Sequence, residues 1–470
     1  MRWNSRSILS ITILALVVEF VVLRDLPFFW DGVSKAYRAN WIYEHNFASL
    51  IVPTQFNSGH PPLWITSIAI FWTVLGKSVW AARLLLLIVN IGVGYQLLRL
   101  CKLAFEPVVP LAFFFLVIID PTLMAQTTIL NNDMLLLFFI LLGLNSLWKG
   151  QWLWYTLALS GMLLTNLRGI YCTIAFCLIH ALFVRYASLS FDRKMLRAYA
   201  IGLVVFGGFL IAQYTELGWV LISKNKNYAG HREAAGIARV AKNAAAYFKN
   251  ILDFGRVFLW VPLLLLLWKV FRKQLTLSLA SKRILLALMV FTSVFFLGFV
   301  PFSNPMGPRY LMICFLLGAM LFGNLLFRSN KNQTLRNGVI TLVAVGLLTG
   351  HLWIYPSTIS QGWDSSLAYL RYFKQEQAML DYLKEQGISR DEVGTHLPIN
   401  SRHMARLDGS EKLDPPFVTP DFEKNRYYLH SNVENKTKDA GIERLAKDWE
   451  PVKTFSSMGV FLTLYKNPAR

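Results

Sequence analysis

The sequence has few acidic residues, few cysteines and few charges of any kind. Its 470 residues include 27 Asp and Glu against 47 Lys and Arg, and charged residues make up only 16% of the chain. The four cysteines lie in or beside apolar segments, without the spacing of a disulfide framework or of a metal–thiolate site. These absences exclude a disulfide-stapled domain and a cysteine-based metal centre.

Apolar residues are abundant, at 55% of the chain with a mean hydropathy of +0.43. They form long runs such as ILSITILALVVEFVVL, VVPLAFFFLVII and MLLLFFILLGLNSLW, long enough to cross most or all of a hydrocarbon core of roughly 30 Å. No small-residue cleavage site follows the first run, which is therefore interpreted as a span rather than a removable signal peptide. The sequence predicts a polytopic α-helical membrane protein.

The excess positive charge is confined to the first part of the chain. Residues 363–470 contain 16 Lys and Arg and 16 Asp and Glu, so the whole excess lies in residues 1–362. A basic balance can indicate nucleic-acid binding, but within a membrane domain it more often reflects topology, so no nucleic-acid partner is expected. The basic N-terminus and the basic stretches 185–197, 269–283 and 328–336 are assigned to the cytoplasm.

Eleven spans are predicted between these stretches, with the N-terminus cytoplasmic and the C-terminal domain extracytoplasmic. They lie near residues 7–24, 80–98, 107–121, 131–148, 152–167, 170–185, 198–222, 256–270, 284–302, 309–327 and 337–356. The 14 apolar residues at 63–76 are short for a span and are interpreted as re-entrant or interfacial, which gives about 11–13 spans in total. The expected location is the plasma (bacterial inner) membrane.

Two domains are predicted. Residues 1–362 form the membrane domain, whose outer loop 25–62 bears amphipathic helices, and residues 363–470 form a soluble α/β domain on the extracytoplasmic side. In the second domain a helical stretch ends at Gly387. Strand-like runs follow at EVGTH, RYYLH, PVKTF and GVFLTLYK, with a helix at DAGIERLAKDWE.

Two residues of the first outer loop are candidates for a role in catalysis or ligand binding. Asp31 follows the first span, where a carboxylate suits a general base, and a solvated aspartate or a helix N-cap is the alternative. His60 precedes Pro61 and Pro62, which end one helix and start the next. His60 is thereby held at a membrane entrance, where it suits a phosphate or a metal ion, with an ordinary interfacial histidine as the alternative.

Later segments add an acidic and a basic residue that are expected on the same side of the membrane as Asp31. Asp133 opens the apolar helix of NNDMLLLFF, where it is an N-cap or a functional acid, because acids at a membrane edge are costly. Arg168 lies in LTNLRG between two short spans. It can pair with Asp133 or Asp120, hold a lipid phosphate, or extend to headgroups.

Further basic residues lie on the outer side, against the positive-inside bias. The loop 223–256 holds seven Lys and Arg but only two acids, and a helix is predicted at 236–252. Such a loop suits an anionic lipid phosphate, with His231 and Arg232 as candidate ligands. Arg309 in SNPMGPRYLM, at the outer start of a span, is another phosphate candidate, again with extension to headgroups as the alternative.

Taken in order, these elements resemble the GT-C fold of membrane-embedded glycosyltransferases, in particular the protein O-mannosyltransferase and aminoarabinose (lipid A) transferase superfamily. The resemblance rests on the loop with Asp31 and on GHPPLW, ILNNDMLLLFF, LTNLRG and GPRYL, and it covers most of residues 1–330. It implies transfer of a sugar from a polyprenyl-phosphate donor to an acceptor at the extracytoplasmic face, with inversion. Asp31 would be the catalytic base, and Asp133 would help to organise the site.

The resemblance also implies a phosphate site and a set of partners. The expected phosphate ligands are His60, Arg168, His231, Arg232 and Arg309. Gly59 stands where some members have a glutamate implicated in metal binding, so no cofactor is indicated and a divalent metal ion stays an open alternative. The expected partners are the polyprenyl-phosphate sugar, a lipid, glycan or protein acceptor, and membrane lipids.

A transporter or flippase for an anionic lipid-linked sugar is the competing interpretation. It would use intramembrane charges such as Glu19. Transporters usually show internal repeats with matched broken helices, and no repeat is visible in this sequence. The predicted gathering of charged residues at one face favours the enzyme.

Overall fold

The computed structural model describes residues 4–105, 108–329, 332–356, 359–396, 398–400, 407, 415–434 and 436–470. The helices of the first 356 residues are α1 (Ser5–Leu23), α2 (Asp31–Glu44), α3 (Leu63–Leu75), α4 (Val79–Ala104), α5 (Phe114–Ile118), α6 (Pro121–Thr128), α7 (Asp133–Lys149), α8 (Trp152–Thr165), α9 (Arg168–Tyr186), α10 (Arg193–Leu217), α11 (Ile237–Leu252), α12 (Val257–Phe271), α13 (Leu279–Phe299), α14 (Met312–Ser329) and α15 (Gln333–Thr349). The predicted polytopic helical fold is confirmed.

Seven helices within the described ranges are long and apolar enough to cross a membrane. They are Ser5–Leu23, Val79–Ala104, Arg168–Tyr186, Arg193–Leu217, Leu279–Phe299, Pro308–Ser329 and Gln333–Leu352, and each coincides with a predicted span. Two further pairs meet the same criterion only together: α5 with α6, bent by 71°, and α11 with α12, bent by 92°. The remaining predicted spans, 131–148 and 152–167, correspond to α7 and α8, of 17 and 14 residues.

The prediction of one straight span at 107–121 is wrong, and residue 107 itself lies outside the described residues. The chain bends after α5 because Pro121 starts a new helix and Asp120 caps it, accepting hydrogen bonds from the backbone N–H groups of Thr122 and Leu123. The apolar run therefore continues as α6 in a second direction. The segment 63–76 is the 13-residue helix α3, as short as expected.

Helix α14 lies at the centre of the membrane domain. In its most apolar window 89% of the residues are buried, against 11% in α1 at the periphery. Glycines let bulky side chains pack closely against α14. A Cβ at Gly318 would lie only 2.8 Å from the Trp260 ring, so a larger residue would not fit there. This tight packing fixes the residues that precede α14, including Arg309.

Helix α11 has its polar face inward and its apolar face outward. Asn243, Tyr247 and Asn250 are buried and donate hydrogen bonds to backbone carbonyls, whereas Ile237 and Phe248 are 91% and 57% exposed. An outward apolar face on a helix that turns sharply into an apolar neighbour is typical of a helix at a membrane interface. The helix predicted at 236–252 is confirmed.

The C-terminal region forms the predicted α/β domain. It contains α16 (Leu370–Glu385) and α17 (Asp439–Asp448) with strands β1 (Val393–Thr395), β2 (Tyr427–Ser431), β3 (Glu450–Ser457) and β4 (Val460–Lys466). The sheet order is β1-β2-β4-β3, with β1 and β2 parallel and the other pairs antiparallel. All four strand-like runs of the sequence are strands.

This domain docks on the loop that follows α1. The Phe29 ring packs against the Tyr369 ring, with centroids 4.5 Å apart. The indole Nε1 of Trp30 donates a hydrogen bond of 2.8 Å to the carbonyl of Val433. The domain therefore contacts the residues immediately before Asp31.

Candidate active site

Helix α2 places three charged residues on one face. Trp30 occupies its N-cap position with φ 43° and no side-chain capping bond, so the alternative of a capping Asp31 is wrong. Asp31, Lys35 and Arg38 follow at intervals of four and three residues and therefore share one side of the helix. Lys35 and Arg38 are 6% and 3% exposed, whereas the Asp31 side chain stays 47% exposed.

Arg309 lies at the centre of three carboxylates. Its Nη2 donates to Asp31 Oδ2 at 2.5 Å and its Nη1 to Asp364 Oδ2 at 2.5 Å. Its Nε lies 3.6 Å from Asp133 Oδ2. The turn Pro308–Leu311, which leads into α14, holds the guanidinium in this position.

Arg168 pairs with Asp133, as one of the sequence-based alternatives predicts. Its Nη2 donates to Asp133 Oδ1, and its guanidinium lies over the Tyr310 ring, 4.0 Å from the centroid. Because the Arg168 side chain is only 13% exposed, it does not extend to the headgroups.

The alternative prediction that Arg168 pairs with Asp120 is wrong. Asp120 accepts two hydrogen bonds from the fully buried Arg256, from Nε at 2.6 Å and from Nη2 at 2.9 Å. Asp120 also caps α6, so this pair is part of the packing that bends the chain between α5 and α6.

The charges around Asp31 favour its ionised form. Burial acts to raise the pKa of Asp31, but the positive charges of Arg309 and Lys35 outweigh burial and hold this pKa below its usual range. Burial, together with the nearby Arg38, lowers the pKa of Lys35 to about 7. Burial raises the pKa of Asp364 above its ordinary value, although Arg309 opposes this shift.

A small, mostly polar cavity lies beside this network. It is lined by polar residues of three segments, Lys35, Arg38, Asn57, Ser58, His60 and Asn132, together with a few apolar ones. The His60 Nδ1 accepts from the backbone N–H of Leu167 at 3.5 Å. Burial and the charges of Lys35 and Arg232 hold the pKa of His60 well below its ordinary value, so the ring is neutral near pH 7.

Two buried donors near this cavity lack hydrogen-bond partners within the part of the chain that the structure describes. Arg38 donates to Ser58 Oγ at 2.7 Å and to the Tyr228 hydroxyl at 2.8 Å, but its buried Nε has no hydrogen-bond partner. The buried Nη1 of Arg232 also has none. Unsatisfied buried donors are costly unless a ligand completes them, so this arrangement suits an anion.

Gly59 explains how the SGHPP motif brings Arg232 near His60. Its φ is +79°, and a Cβ there would lie 3.3 Å from Arg232 Nη1 and 3.2 Å from the Leu221 carbonyl. His231, next to Arg232, is half-buried, and its ring packs edge-on against Tyr228 with centroids 5.7 Å apart. Burial and Arg232 lower the pKa of His231.

A second small cavity, lined mostly by apolar side chains, ends at the ion network. Asp133, Arg168, Arg309 and Tyr310 line one part of it. The rest is lined by side chains of α7, α9, α13 and α14, which are Leu136, Leu137, Ile140, Cys172, Phe295, Met312 and Ile313. This lining, apolar with charged groups at one end, suits an amphiphile with a charged head.

Comparison with known proteins identifies the architecture. No protein-family model matches the sequence, and no curated protein sequence matches it. Among solved structures, ArnT from Cupriavidus metallidurans in the apo state is similar over 96% of both chains, at 14% identity and a TM-score of 0.56. The same enzyme bound to undecaprenyl phosphate is similar over 97% of both chains, at 12% identity and a TM-score of 0.55.

The chain has the GT-C fold. The fold expected from the sequence resemblance is thereby confirmed. The Archaeoglobus fulgidus oligosaccharyltransferase in the apo form is also similar, at 12% identity over 97% of this chain and 74% of that chain, with a TM-score of 0.48.

The residues of this GT-C site do not fit a divalent metal ion. Within the described part of the chain, no group of three or more His, Cys, Asp or Glu is placed to hold one. The carboxylates of Asp31, Asp133 and Asp364 face the guanidinium of Arg309 instead. Gly59 stands where some members of the superfamily have a glutamate, so this position contributes no carboxylate to the site.

Three site residues were not predicted from the sequence. Lys35 and Arg38 share the face of Asp31 on α2, and their spacing is a signal that could have identified them. Asp364 carries no such signal. The Trp363–Ser365 turn places it in the site because the backbone carbonyls of Asp364 and Ser365 accept hydrogen bonds from α6.

Proposed function

We propose that the protein is an integral-membrane glycosyltransferase that moves a sugar from a polyprenyl-phosphate donor to an acceptor at the extracytoplasmic face of the plasma (bacterial inner) membrane. The observation that carries this proposal is the network of Asp31, Arg309, Asp133 and Arg168 at the head of an apolar cavity. The solved ArnT structure with undecaprenyl phosphate supports the class of donor.

The two cavities suit the two parts of such a donor. The apolar cavity would receive the first isoprenoid units of the donor. The phosphate would lie toward Arg168, His60, Arg232 and Lys35, a cation that was not predicted from the sequence. His231 is a further proposed ligand, at the edge of this group. Cations that already point at the position of the leaving phosphate would stabilise the charge that develops on it.

Asp31 is the proposed base. It is ionised, and 47% of its side chain is exposed, so an acceptor hydroxyl can reach it. Deprotonation by Asp31 would let the acceptor oxygen attack the anomeric carbon as the bond to phosphate breaks, which inverts the anomeric centre. Asp133 would organise the site by holding Arg168, and it is also close to Arg309.

Incubation of the purified protein with defined polyprenyl-phosphate sugars tests this function. Mass spectrometry should show release of polyprenyl phosphate that depends on an added lipid, glycan or protein acceptor and on the protein. Donors that bind but release nothing with any acceptor class would contradict the proposal. In liposomes, movement of an unaltered lipid-linked sugar across the bilayer would instead identify the transporter or flippase.

The proposed orientation has its own test. Single cysteines are introduced at Met458 in the C-terminal domain and at Lys273 in the loop after α12, both exposed positions, in a chain whose native cysteines are replaced. A membrane-impermeant maleimide applied to intact cells should label the cysteine at position 458 and not that at 273. The reverse pattern would show that the C-terminal domain is cytoplasmic.

A further inference from the structure

Three carboxylates surround the guanidinium of Arg309, and one of them, Asp133, also pairs with Arg168. Asp31, Asp133 and Asp364 come from three separate segments, and the side chains of the last two are 1% and 4% exposed. Like charges brought together away from water raise one another's pKa unless a cation lies between them. A cluster of this kind therefore needs an internal positive charge.

Two kinds of cation can meet that need. A divalent metal ion takes several carboxylate oxygens at about 2.0–2.6 Å. A guanidinium is always protonated and offers five N–H donors in a rigid plane, so it can serve several carboxylates at once. Here the nitrogens of Arg309 already lie 2.5 Å from an oxygen of Asp31 and 2.5 Å from an oxygen of Asp364.

The third carboxylate gives an independent indication. Among the described residues, Asp133 Oδ2 is buried and finds no hydrogen-bond partner, although it faces Arg309 Nε at 3.6 Å. Such an oxygen is oriented toward a central cation. It would be available to a metal ion if the guanidinium were absent.

We propose that Arg309 is a built-in replacement for a divalent metal ion. Its guanidinium neutralises and orients the three carboxylates, so that transfer proceeds without a bound metal. This deepens the proposed function, on which it rests, by naming what holds the base in place. It also gives Arg309 a role different from the phosphate binding that the resemblance implies.

Binding of Mn²⁺, measured by electron paramagnetic resonance on the full-length protein in detergent, tests the proposal. The wild type is expected to bind no Mn²⁺ at this site, and its thermal midpoint should not change with Mn²⁺ or EDTA. Arg309→Ala removes the cation between the three carboxylates, which are not placed to hold a metal ion as they stand and must move together to do so. It should then bind one Mn²⁺, with a higher thermal midpoint when Mn²⁺ is present. Adding Asp364→Asn should weaken that binding by about tenfold or more.

Arg256→Ala is the matched control. Arg256 is fully buried but pairs with the single carboxylate of Asp120, so its removal should create no Mn²⁺ site. One Mn²⁺ bound to the wild type and lost in Asp31→Asn would overturn the proposal, and so would a folded Arg309→Ala protein that binds none.

The wild-type measurement decides the question even if Arg309→Ala does not fold. Because Mn²⁺ binding requires no sugar transfer, it also separates failure of this proposal from failure of the proposed function. Wild-type transfer that EDTA abolishes and Mn²⁺ restores would be a second result against Arg309 as the internal cation.

Discussion

Asp31 and Arg309 are 278 positions apart in the chain, yet Asp31 Oδ2 lies 2.5 Å from Arg309 Nη2. The contact fixes the direction of the carboxylate and keeps it ionised. It also weakens Asp31 as a base, because the same charge that lowers its pKa lowers its affinity for a proton. The proposed base would therefore act through its position rather than through a strong affinity for a proton.

Asp31→Asn should abolish sugar transfer while leaving the protein folded. An amide keeps the shape of the side chain but cannot accept the acceptor proton, so initial rates of polyprenyl-phosphate release should fall by about 10²–10⁴-fold. Asp25→Asn is the control, because Asp25 is in the same loop, is 75% exposed and pairs with the neighbouring Arg24. Full activity in Asp31→Asn would remove Asp31 from the mechanism.

Lys35 should make donor binding depend on pH. Its pKa is about 7 in the free protein, and a phosphate binds the protonated form more tightly. Above pH 7 binding must therefore take up a proton, and affinity should fall by up to about tenfold per pH unit until the pKa of the bound state is reached. Titrations with polyprenyl phosphate at pH 6 to 9 measure this slope.

Two variants isolate the contribution of Lys35. Lys35→Gln should bind more weakly and should lose the part of the slope that begins near pH 7. Lys77→Gln is the comparison, because Lys77 pairs with Glu44 at 3.5 Å and does not line the cavity, so it should keep the wild-type slope. An unchanged slope in Lys35→Gln would show that another group titrates.

Arg168→Ala should destabilise the protein by about 3–5 kcal/mol, because it leaves the buried Asp133 carboxylate without its main partner. Thermal unfolding in detergent measures the change. The double variant Arg168→Ala/Asp133→Asn should recover part of the loss. Arg444→Ala breaks the exposed pair with Glu423 and should change stability by less than about 1 kcal/mol. Equal effects of both substitutions would mean that the buried pair contributes little.

Gly59→Ala should weaken donor binding through Arg232. The positive φ costs an alanine about 1 kcal/mol, and the added Cβ meets Arg232 Nη1 and the Leu221 carbonyl. Gly76→Ala is a close control, since Gly76 has φ +86° but open space around it. Gly76→Ala should lose stability through its backbone alone, and only Gly59→Ala should raise the KM for the donor. If the two variants have a similar KM for the donor, the contact between Gly59 and Arg232 plays no part in donor binding.

Much of the fold was predictable from local patterns. Seven predicted spans are long helices, and the four strand-like runs of the C-terminal region are strands. The straight span at 107–121 failed because hydropathy averages over Asp120-Pro121, whereas the backbone responds to the cap and the proline at those two positions. The spacing of Lys35 and Arg38 after Asp31 indicates a shared helix face, so these two residues could also have been predicted from the sequence.

The sequence by itself determined that the chain is a membrane protein with an α/β domain, and which charged residues stand at the ends of its apolar segments. Only the tertiary structure decided which of those charges meet. Hydrophobic burial acts on each segment according to its own composition, but ion pairs form between segments hundreds of residues apart, and only helix packing brings those together. That is why Asp133 pairs with Arg168 while Asp120 pairs with Arg256, and why Asp364 shares Arg309 with Asp31.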